Sequence, residues 1–254
     1  MTDISVVIVA YNNEEDVRQA VCSLLEHTAA DIQKKIYIVD NSSQPNHLKE
    51  AATQWEDTEY FQMESNLGFG GGHNFVLPML DSTYHAIVNP DIVLKEDSLG
   101  ILMHFLEDTG AGMVVPRLLG EDGKLQKVYR RELTVFDMGI RMFLPGCFQK
   151  RQDAHTMQDM DYSRPFPVPF AQGSFLVIRT SLFQELRGFD SRYFMYMEDA
   201  DLCRRVNQVS RLLYCPDTEV IHRWERGSHK DGSLRKVHIR SMIQYFQKWG
   251  WRMW

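Results

Sequence analysis

The sequence lacks the features that mark secreted, disulfide-stabilised or membrane-spanning proteins. No apolar run approaches the roughly 18–20 residues that a spanning helix needs. The longest apolar run near the N-terminus, Ile4–Ala10, follows an acidic residue, whereas a secretory signal begins with a basic segment. There is no C-x-x-C pair and no histidine spacing typical of a zinc site. We therefore expect a cytoplasmic protein with reduced thiols, mostly in the core. The four cysteines are Cys22, Cys147, Cys203 and Cys215.

No recognised nucleic-acid-binding module is visible either, and the charge distribution disfavours a nucleic-acid partner. From residue 222 to the end, eight Lys or Arg residues oppose two acids, a net charge of +6. The whole chain has a net charge of −6, so the preceding 221 residues carry −12. An acidic body repels nucleic acid, whereas a basic tail rich in tryptophan is typical of contact with phosphates or with an anionic membrane surface.

Strand-like and helix-like segments alternate in the first half of the chain. Ile4–Ala10 is apolar throughout, which predicts a strand buried on both faces. Helical spacing of apolar residues follows it, and further strands are predicted at 36–39 and 85–88. This alternation predicts an α/β fold with a mostly parallel central sheet flanked by helices, whose ligands bind at the carboxyl ends of the strands. Asp40 and Asp91 stand at two such ends.

The second half of the chain is less regular. Residues 124–169 carry mixed charge, several prolines and no sustained period, which indicates a variable insertion that shapes an acceptor site. A strand at 173–178 and a helix at 198–209 are predicted to follow. The last segment, 234–254, alternates basic residues with aliphatic and aromatic ones. That pattern is typical of a helix that either packs on the core or lies at a membrane surface.

Two residues are candidate metal ligands. The turn Asn89-Pro90-Asp91 directly follows a predicted strand, and its proline ends the strand where a divalent ion and a diphosphate could meet the carboxylate. His222 follows a short apolar run and precedes several basic residues, which suits a metal ligand beside phosphate donors. A plain structural turn and a solvated loop histidine are the alternatives.

The stretch 66–74 is rich in glycine, with four glycines in the five positions 68–72. Glycine lets the backbone approach a ligand closely, and a helix that begins here would present its amides to an anion. The stretch does not match a dinucleotide-binding fingerprint, because His73 stands where the third glycine would fall. A flexible loop is the alternative.

Three acids, Glu198, Asp199 and Asp201, stand at the start of the last helix predicted before residue 222. Adjacent carboxylates near a metal and a sugar would keep one acid ready to take a proton from an acceptor hydroxyl, which favours a general base. The structural alternative is that they stabilise the helix N-terminus and pair with Arg204 or Arg205.

Taken together, these segments resemble glycosyltransferase family 2, the inverting enzymes of the GT-A fold, and within it a bacterial rhamnosyltransferase-like branch. The resemblance is carried by SVVIVAYN at 5–12, IVDNSS at 38–43, NLGFG at 66–70, VNPD at 88–91, GSF at 173–175, GFD at 188–190, FMYMEDADLCR at 194–204 and His222. It implies a GT-A domain over 1–233, with a nucleotide-binding half at about 1–115 and an acceptor-binding, catalytic half at about 116–233. A basic aromatic C-terminal helix would occupy 234–254.

The resemblance also implies roles for the acids. Asp199 would be the general base, with Glu198 as a second catalytic residue. Asp91 stands at the metal acid of the family's D-x-D motif, with Asn89 in place of the first acid, and His222 would complete the shell of a Mn²⁺ or Mg²⁺ ion.

A nucleotide sugar is the implied donor. The nucleobase would lie against Ala10, Tyr11 and Asp40, whose carboxylate would accept a hydrogen bond from the base. The expected nucleotide-sugar-binding residues are Ala10, Tyr11, Asp40, Asn66, Gly68, Gly70, Asn74, Asn89, Arg226 and Ser228.

The expected reaction is metal-dependent, inverting transfer of a sugar to a glycan or lipid-linked acceptor during synthesis of a cell-surface polysaccharide. The branch favours dTDP-rhamnose as donor. The C-terminal helix would meet an anionic membrane at its inner face, and no nucleic acid takes part. A UDP-hexose or UDP-galactofuranose donor and a non-catalytic nucleotide- or glycan-binding module stay open as alternatives. A nucleotidyltransferase is disfavoured, because its glycine-rich, basic signature would occupy 11–15, which is acidic here.

Overall fold

The computed structural model describes residues 2–144, 146–223 and 232–254. The strands are β1 Ile4–Ala10, β2 Lys34–Asp40, β3 Thr58–Gln62, β4 Tyr84–Val88, β5 Ile92–Val93, β6 Met113–Leu119, β7 Tyr129–Arg130, β8 Phe166–Pro167, β9 Phe170–Ala171, β10 Phe175–Arg179 and β11 Leu212–His222. The α-helices are α1 Glu14–His27, α2 Leu48–Ala52, α3 Gly68–Val76, α4 Ser98–Thr109, α5 Val135–Phe143, α6 Gln149–His155, α7 Thr180–Glu185, α8 Glu198–Val209 and α9 Gly232–Trp249, and a 3₁₀ turn covers Leu77–Met79.

The main sheet has the order β3-β2-β1-β4-β10-β6-β11-β5, with β8 paired to β11. The ladder β3-β2-β1-β4 is parallel, as the alternating pattern of the first half predicts, and β6 pairs with β11 in parallel. β10 runs antiparallel between β4 and β6. The α/β, GT-A-like architecture is confirmed, with a sheet that is parallel in the first half and mixed in the second.

The antiparallel strand β10 explains where the insertion lies. β6 ends at residue 119, and β10 begins at residue 175 and runs back beside β6. The intervening segment therefore leaves and rejoins the sheet at the same end, which is the carboxyl end of the parallel strands. Residues 120–174 are thus placed over the edge of the sheet where ligands of such folds bind.

The core is built on β1, in which all seven residues are buried. Helix α1 covers one face with Val17, Val21 and Leu24, each fully buried. Burying such a side chain stabilises the fold by roughly 1.5–3 kcal/mol. The four thiols are free, as expected, but their predicted burial is only half right. Cys203 and Cys215 are buried, whereas Cys22 and Cys147 are exposed.

The glycine-rich stretch is helix α3, neither a flexible loop nor an anion-binding one. Gly68 has φ of +74°, and a Cβ there would lie 2.0 Å from the carbonyl oxygen of Phe194. A Cβ on Gly72 would lie 2.7 Å from a methyl group of Val9. The first amide of α3 donates to Asn66 Oδ1 at 2.8 Å, and the next, of residue 69, donates to the Phe194 carbonyl at 3.2 Å. The glycines therefore allow close packing, and these amides are not presented to a phosphate.

Helix α9 packs on the core, which was one of the two alternatives for the tail. Tyr245 and Phe246 are buried, and Ser241 donates to the carbonyl of Met195 at 2.8 Å. At its end, Trp249 Nε1 donates to the buried carboxylate of Asp201 at 2.8 Å. The sequence predicts 234–254 as a helix separate from the domain at 1–233. In the structure, Lys248 and Trp249 of this segment contact the buried Asp201 of α8.

The last residues continue past α9 and lie along the start of α5. The amide of Val135 donates to the carbonyl of Arg252 at 2.9 Å, and that of Phe136 to Met253 at 3.2 Å. The ring centroids of Phe136 and Trp254 are 4.4 Å apart. Among the helices in the described ranges, none combines the length and apolarity needed to cross a bilayer.

Replacement of Gly68 by alanine is expected to destabilise the fold strongly. The new Cβ would overlap the Phe194 carbonyl in a left-handed backbone conformation, at a cost of about 2–5 kcal/mol. Thermal unfolding should show a midpoint lower by roughly 5–15 °C. Gly139→Ala in α5 is the matched control, because nothing lies within 4 Å of its added Cβ and alanine favours a helix. Equal midpoints for the two variants would contradict this account of α3.

Candidate functional site

The predicted acids gather at the carboxyl edge of the sheet, joined through residues 173 and 174. The amide of Asn89 donates to the carbonyl of Ser174 at 2.8 Å. The amide of Gly173, one residue earlier, donates to Asp199 Oδ2 at 3.1 Å. The backbone at residues 173 and 174 is therefore hydrogen-bonded both to the turn that contains Asp91 and to Asp199, the candidate base.

Asp40 lies at the end of β2, opposite Ala10 of β1. Its carboxylate is fully buried and accepts three hydrogen bonds, from the Ser42 amide (2.8 Å), Asn46 Nδ2 (2.8 Å) and the Tyr60 hydroxyl (2.7 Å). An ionised carboxylate offers about four acceptor positions, so three are occupied within the protein. Asp40 thus holds the loop that follows β2. The sequence pattern does not indicate Asn46 and Tyr60 as its hydrogen-bond partners.

The loop after β1 leaves Tyr11 beside this carboxylate-bearing edge. Its ring is half exposed, which leaves a face available for stacking. Asn13 Oδ1 accepts from the Tyr11 amide at 2.8 Å, and the Asn12 amide donates to Ser42 Oγ at 2.8 Å. Asn12 has φ of +55°, a conformation that asparagine tolerates better than most residues. The two asparagines therefore fix the loop against β2 and hold Tyr11 in place.

Asp91 and His222 lie together, although 131 positions separate them in the sequence. Asp91 Oδ2 is 3.4 Å from His222 Nε2, and Asp91 Oδ1 is buried with no hydrogen-bond partner among the described residues. His222 is buried at the end of β11, where its backbone pairs with Ile92 of β5. It is therefore not the solvated loop histidine of the structural alternative.

Gln126 fixes the orientation of the His222 ring, and sequence reasoning missed it. Gln126 Nε2 donates to the His222 carbonyl at 2.7 Å, which turns its Oε1 toward His222 Nδ1 at 2.6 Å. Because Oε1 can only accept, Nδ1 carries a proton and donates to it, and Nε2 is the ring nitrogen that faces Asp91. Histidines that bind metals are commonly held in this way by a partner on the other ring nitrogen.

These two side chains fit a divalent cation that also binds phosphate. A buried carboxylate oxygen without a donor is costly unless a cation neutralises it. The described residues hold no group of three or more His, Cys, Asp or Glu side chains that could bind a metal. Mg²⁺ and similar ions commonly take one or two protein ligands and complete their shell with phosphate oxygens and water.

Glu198 and Asp199 are held by an unusual turn. Tyr196 and Met197 have φ of +68° and +70°, so that two successive non-glycine residues are left-handed directly before α8. Such conformations cost of order 1–3 kcal/mol each and tend to cluster at functional sites. Asp199 also accepts from the amide of Ala200 at 2.8 Å and from Gly173, and both bonds orient its carboxylate.

The two carboxyl groups divide their roles by burial. Burial and the neighbouring charge of Asp199 raise the pKa of Glu198 to about 8, and burial also raises the pKa of Asp199. Glu198 Oε2 is buried with no hydrogen-bond partner among the described residues, whereas Asp199 is partly exposed and lines a hollow of about 110 Å³. At neutral pH we expect Glu198 to hold a proton, and Asp199, which faces the hollow, is the group placed to accept one.

Several residues predicted to bind the nucleotide sugar form hydrogen bonds or packing contacts within the protein. Asn74 Nδ2 donates to the Phe189 carbonyl and its Oδ1 accepts from the Phe189 amide, both at 2.8 Å, so Asn74 clamps that backbone. Gly68 and Gly70 lie buried in α3, and Asn66 accepts from the first of their amides. Asn66, Gly68, Gly70 and Asn74 therefore pack or hydrogen-bond within the fold. Arg226 and Ser228 lie outside the described residues.

Asp201, the third acid of the cluster, holds α8 in place. It is fully buried and accepts from Arg205 Nε (2.7 Å), Lys248 Nζ (2.6 Å) and Trp249 Nε1 (2.8 Å). The predicted pairing of the acids with an arginine of the same helix is confirmed for this one. Its role is to orient the helix that carries Asp199.

Comparison with known proteins gives a family and a set of relatives. The family model described as "Glycosyl transferase family 2" matches residues 5–187. The chain is 26% identical over 253 residues to rhamnosyltransferase WbbL of Escherichia coli (strain K12), covering 96% of this chain and 92% of the relative. It is 27% identical over 247 residues to N-acetylglucosaminyl-diphospho-decaprenol L-rhamnosyltransferase of Mycobacterium tuberculosis (strain ATCC 25618 / H37Rv), covering 91% and 80%.

Solved structures share the fold at lower identity. GalNAc-T7 with UDP, GalNAc and Mn²⁺ superposes with a TM-score of 0.70 at 17% identity, covering 97% of this chain and 48% of that one. The mannosyltransferase PcManGT from Pyrobaculum calidifontis with GDP-Man and Mn²⁺ gives 0.66 at 15% identity, covering 96% and 63%. The superpositions show the GT-A fold.

Glu198→Gln is expected to change how stability depends on pH. Because its pKa is raised from 4.5 to about 8, the folded protein keeps a proton on Glu198 that the unfolded chain has lost. The wild-type free energy of unfolding therefore falls as pH rises through this interval, and glutamine removes that loss. The variant should unfold several °C above the wild type at pH 8, and the two midpoints should differ little at pH 5. For a chain of this size, a change of 1 kcal/mol in the free energy of unfolding shifts the midpoint by about 2–4 °C.

Exposed Glu26→Gln on α1 serves as the control, and its effect should be the same at both pH values. If Glu198→Gln also shifted the midpoint equally at pH 5 and pH 8, Glu198 would not hold a proton in the folded protein.

Proposed function

The chain belongs to glycosyl transferase family 2, and we propose that it transfers a sugar from a nucleotide-sugar donor to a glycan or lipid-linked acceptor, with inversion at the anomeric carbon. The observation that carries this proposal is the link through Gly173 and Ser174. The turn that contains Asp91 and the start of the helix that contains Asp199 are both hydrogen-bonded to this backbone segment, which supports a metal site and a general base close to each other.

Asp199 is the residue that takes the proton in this mechanism. It removes the proton of the acceptor hydroxyl as that oxygen attacks the anomeric carbon, on the face opposite the leaving nucleotide. Neutral Glu198 beside it adds no second negative charge to the pocket. The two backbone amides that bind Asp199 keep its carboxylate aimed while its charge changes.

Asp91 and His222 would hold a divalent ion, with Mn²⁺ or Mg²⁺ as the expected species. Such an ion neutralises charge that develops on the departing diphosphate. Support comes from the unpartnered Asp91 oxygen and from the tautomer that Gln126 imposes on His222. The presence of Mn²⁺ in two structures of the same fold supports the same choice.

The proposed donor is dTDP-rhamnose, used in building a cell-surface polysaccharide. Support comes from two relatives named as rhamnosyltransferases that align over most of their own length. The fold alone does not select it, since similar structures contain UDP or GDP-Man. Thermal shifts with dTDP-rhamnose, UDP-galactose and UDP-galactofuranose, each with and without Mn²⁺, would identify the donor, because a ligand that binds only the folded state raises the unfolding midpoint.

Two Asp-to-Asn variants should separate chemistry from donor binding. Asp199→Asn removes the base and should lower the transfer rate by about 10²–10⁴-fold, while the Mn²⁺-dependent shift with donor persists. Asp91→Asn should abolish the Mn²⁺ dependence of that shift as well as transfer. Asp108→Asn, exposed on α4, is the control and should change neither quantity. Full transfer activity in Asp199→Asn would remove it from the role of base.

We also propose that the protein meets an anionic membrane, through the end of the chain and not through the face of α9. Helix α9 packs on α8, whereas Trp254 and Phe148 are 70% and 56% exposed on either side of Phe136. The Arg151 guanidinium carbon lies 4.9 Å from the centre of the Phe136 ring and 5.8 Å from that of Trp254. Exposed aromatic rings beside basic groups suit the interface between lipid headgroups and chains.

The double variant Phe148→Ser with Trp254→Ser should weaken binding to vesicles of phosphatidylglycerol and phosphatidylethanolamine. A loss of about tenfold or more in co-sedimentation affinity is expected, because two aromatic side chains no longer enter the lipid. Val209→Ser, at an exposed apolar position at the end of α8, is the control and should bind as the wild type does. Unchanged binding of the double variant would exclude this surface.

A further inference from the structure

Arg130 is a buried cation that forms no salt bridge or hydrogen bond with an acid among the described residues. It lies on β7 and is only 6% exposed, and its Nε has no hydrogen-bond partner among the described residues. Its guanidinium carbon lies 5.2 Å from the centre of the Phe170 ring, which presents a face and no charge. Taking a charged group out of water without a partner costs several kcal/mol. A residue kept in that state is suited to an anion that arrives with a ligand.

Other arginines of comparable burial are satisfied within the protein. Arg205 pairs with Asp201 and donates to the carbonyls of Leu186 and Gly188 at 2.8 Å. Arg179 donates to backbone carbonyls beside α4. Arg130 differs because its Nε has no acceptor among the described residues, and its neighbours include an aromatic ring and another cation, Arg141. Burial and the charge of Arg141 lower the pKa of Arg130, and the charge of Asp199 opposes that shift.

Arg130 faces a cavity of about 650 Å³ between the loop after β6 and helices α5 and α6. His222 of the candidate metal pair and its partner Gln126 line this cavity, as do Arg130 and Arg141. The same two arginines also line the smaller hollow beside Asp199. Arg130 therefore lies between the candidate metal pair and the candidate base, in contact with both spaces.

Three other cations that line this cavity in the described part of the chain are paired with acids. The pairs are Lys124 with Asp122 (2.8 Å), Lys127 with Asp153 (2.7 Å) and Arg223 with Glu121 (3.2 Å). These groups are more exposed than Arg130, and water also screens their charges. Arg130 is the more deeply buried cation and forms no such pair with the described residues.

We propose that Arg130, with Arg141 beside it, binds a phosphate or diphosphate group of the acceptor, next to the sugar that receives the transferred residue. This inference rests on the function proposed above. In an inverting displacement the base and the leaving group lie on opposite faces of the anomeric carbon. An anion held in the hollow of Asp199 therefore belongs to the acceptor, while the donor's diphosphate lies at Asp91 and His222.

Phenyl phosphate is a probe of this site that requires no catalysis. Calorimetric titration should detect its binding to the wild type, and Arg130→Gln should weaken that binding about tenfold or more, because a charged hydrogen-bond donor is lost. Arg130→Lys keeps the charge and should retain part of the affinity. Lys124→Gln, on the rim of the same cavity, is the control and should bind as the wild type does. Equal affinity in the wild type and in Arg130→Gln would overturn the proposal.

A second titration, with nucleoside diphosphate and Mn²⁺ at saturation, separates the acceptor from the donor. Phenyl phosphate should still bind, since its site is distinct from that of the nucleotide. Competitive displacement would assign Arg130 to the donor and overturn the proposal. Because the phosphate titration without nucleotide needs neither donor nor transfer, its result stands apart from that of the proposed reaction.

Folding of the variant and the acceptor's role can be checked in parallel. Removing an uncompensated buried cation should not lower the unfolding midpoint, so Arg130→Gln is expected to fold. In transfer assays it should raise KM about tenfold or more for a sugar linked to an alkyl diphosphate and leave KM for the neutral alkyl glycoside of that sugar unchanged. An equal effect on both acceptors would contradict recognition of the phosphate.

Discussion

The backbone at Gly173 and Ser174 is the contact on which the site depends. Ser174 accepts from Asn89 in the turn after β4, and Gly173 donates to Asp199 at the start of α8. A Cβ on Gly173 would lie 3.2 Å from that of Asp199, so the two segments are already as close as packing allows. The segment is held in turn by β10, which begins at the next residue. The separation of the turn that contains Asp91 from the start of α8 is thereby set by a strand of the central sheet.

Helix α8 must hold its acids in place against an unfavourable local conformation. Two successive left-handed residues precede it. The carbonyl of Phe194, just before them, accepts a hydrogen bond from the amide of Phe69, which follows Gly68. Within α8, the Asp201 carboxylate pairs with Lys248 and accepts a hydrogen bond from Trp249, both on α9. The strain in the turn is therefore offset by packing on α3 and by charged hydrogen bonds to the end of the chain.

Charge is distributed in the site according to burial. Asp40 and Asp201 are buried, and each accepts three hydrogen bonds within the protein. Among the described residues, Asp91 and Glu198 each keep a buried oxygen without a donor, and Arg130 keeps a buried nitrogen without an acceptor. Buried polar atoms without a partner are rare in folded proteins, and of these three residues Arg130 lines a ligand-sized cavity.

The sequence by itself determined the elements whose cause is local. The apolar run of β1 could only be a buried strand, the turn at Asn89 had to end β4, and the acids of α8 belong at a helix start. The family resemblance and its fold follow from such segments. Only the tertiary structure decided what depends on partners distant in the chain. Gln126 orients His222 across 96 positions, and Arg130 meets Phe170 in a segment without periodicity. The role of the glycines also belongs to this class, because it is set by the Phe194 carbonyl, and the sequence pattern shows which residues are small but not what approaches them.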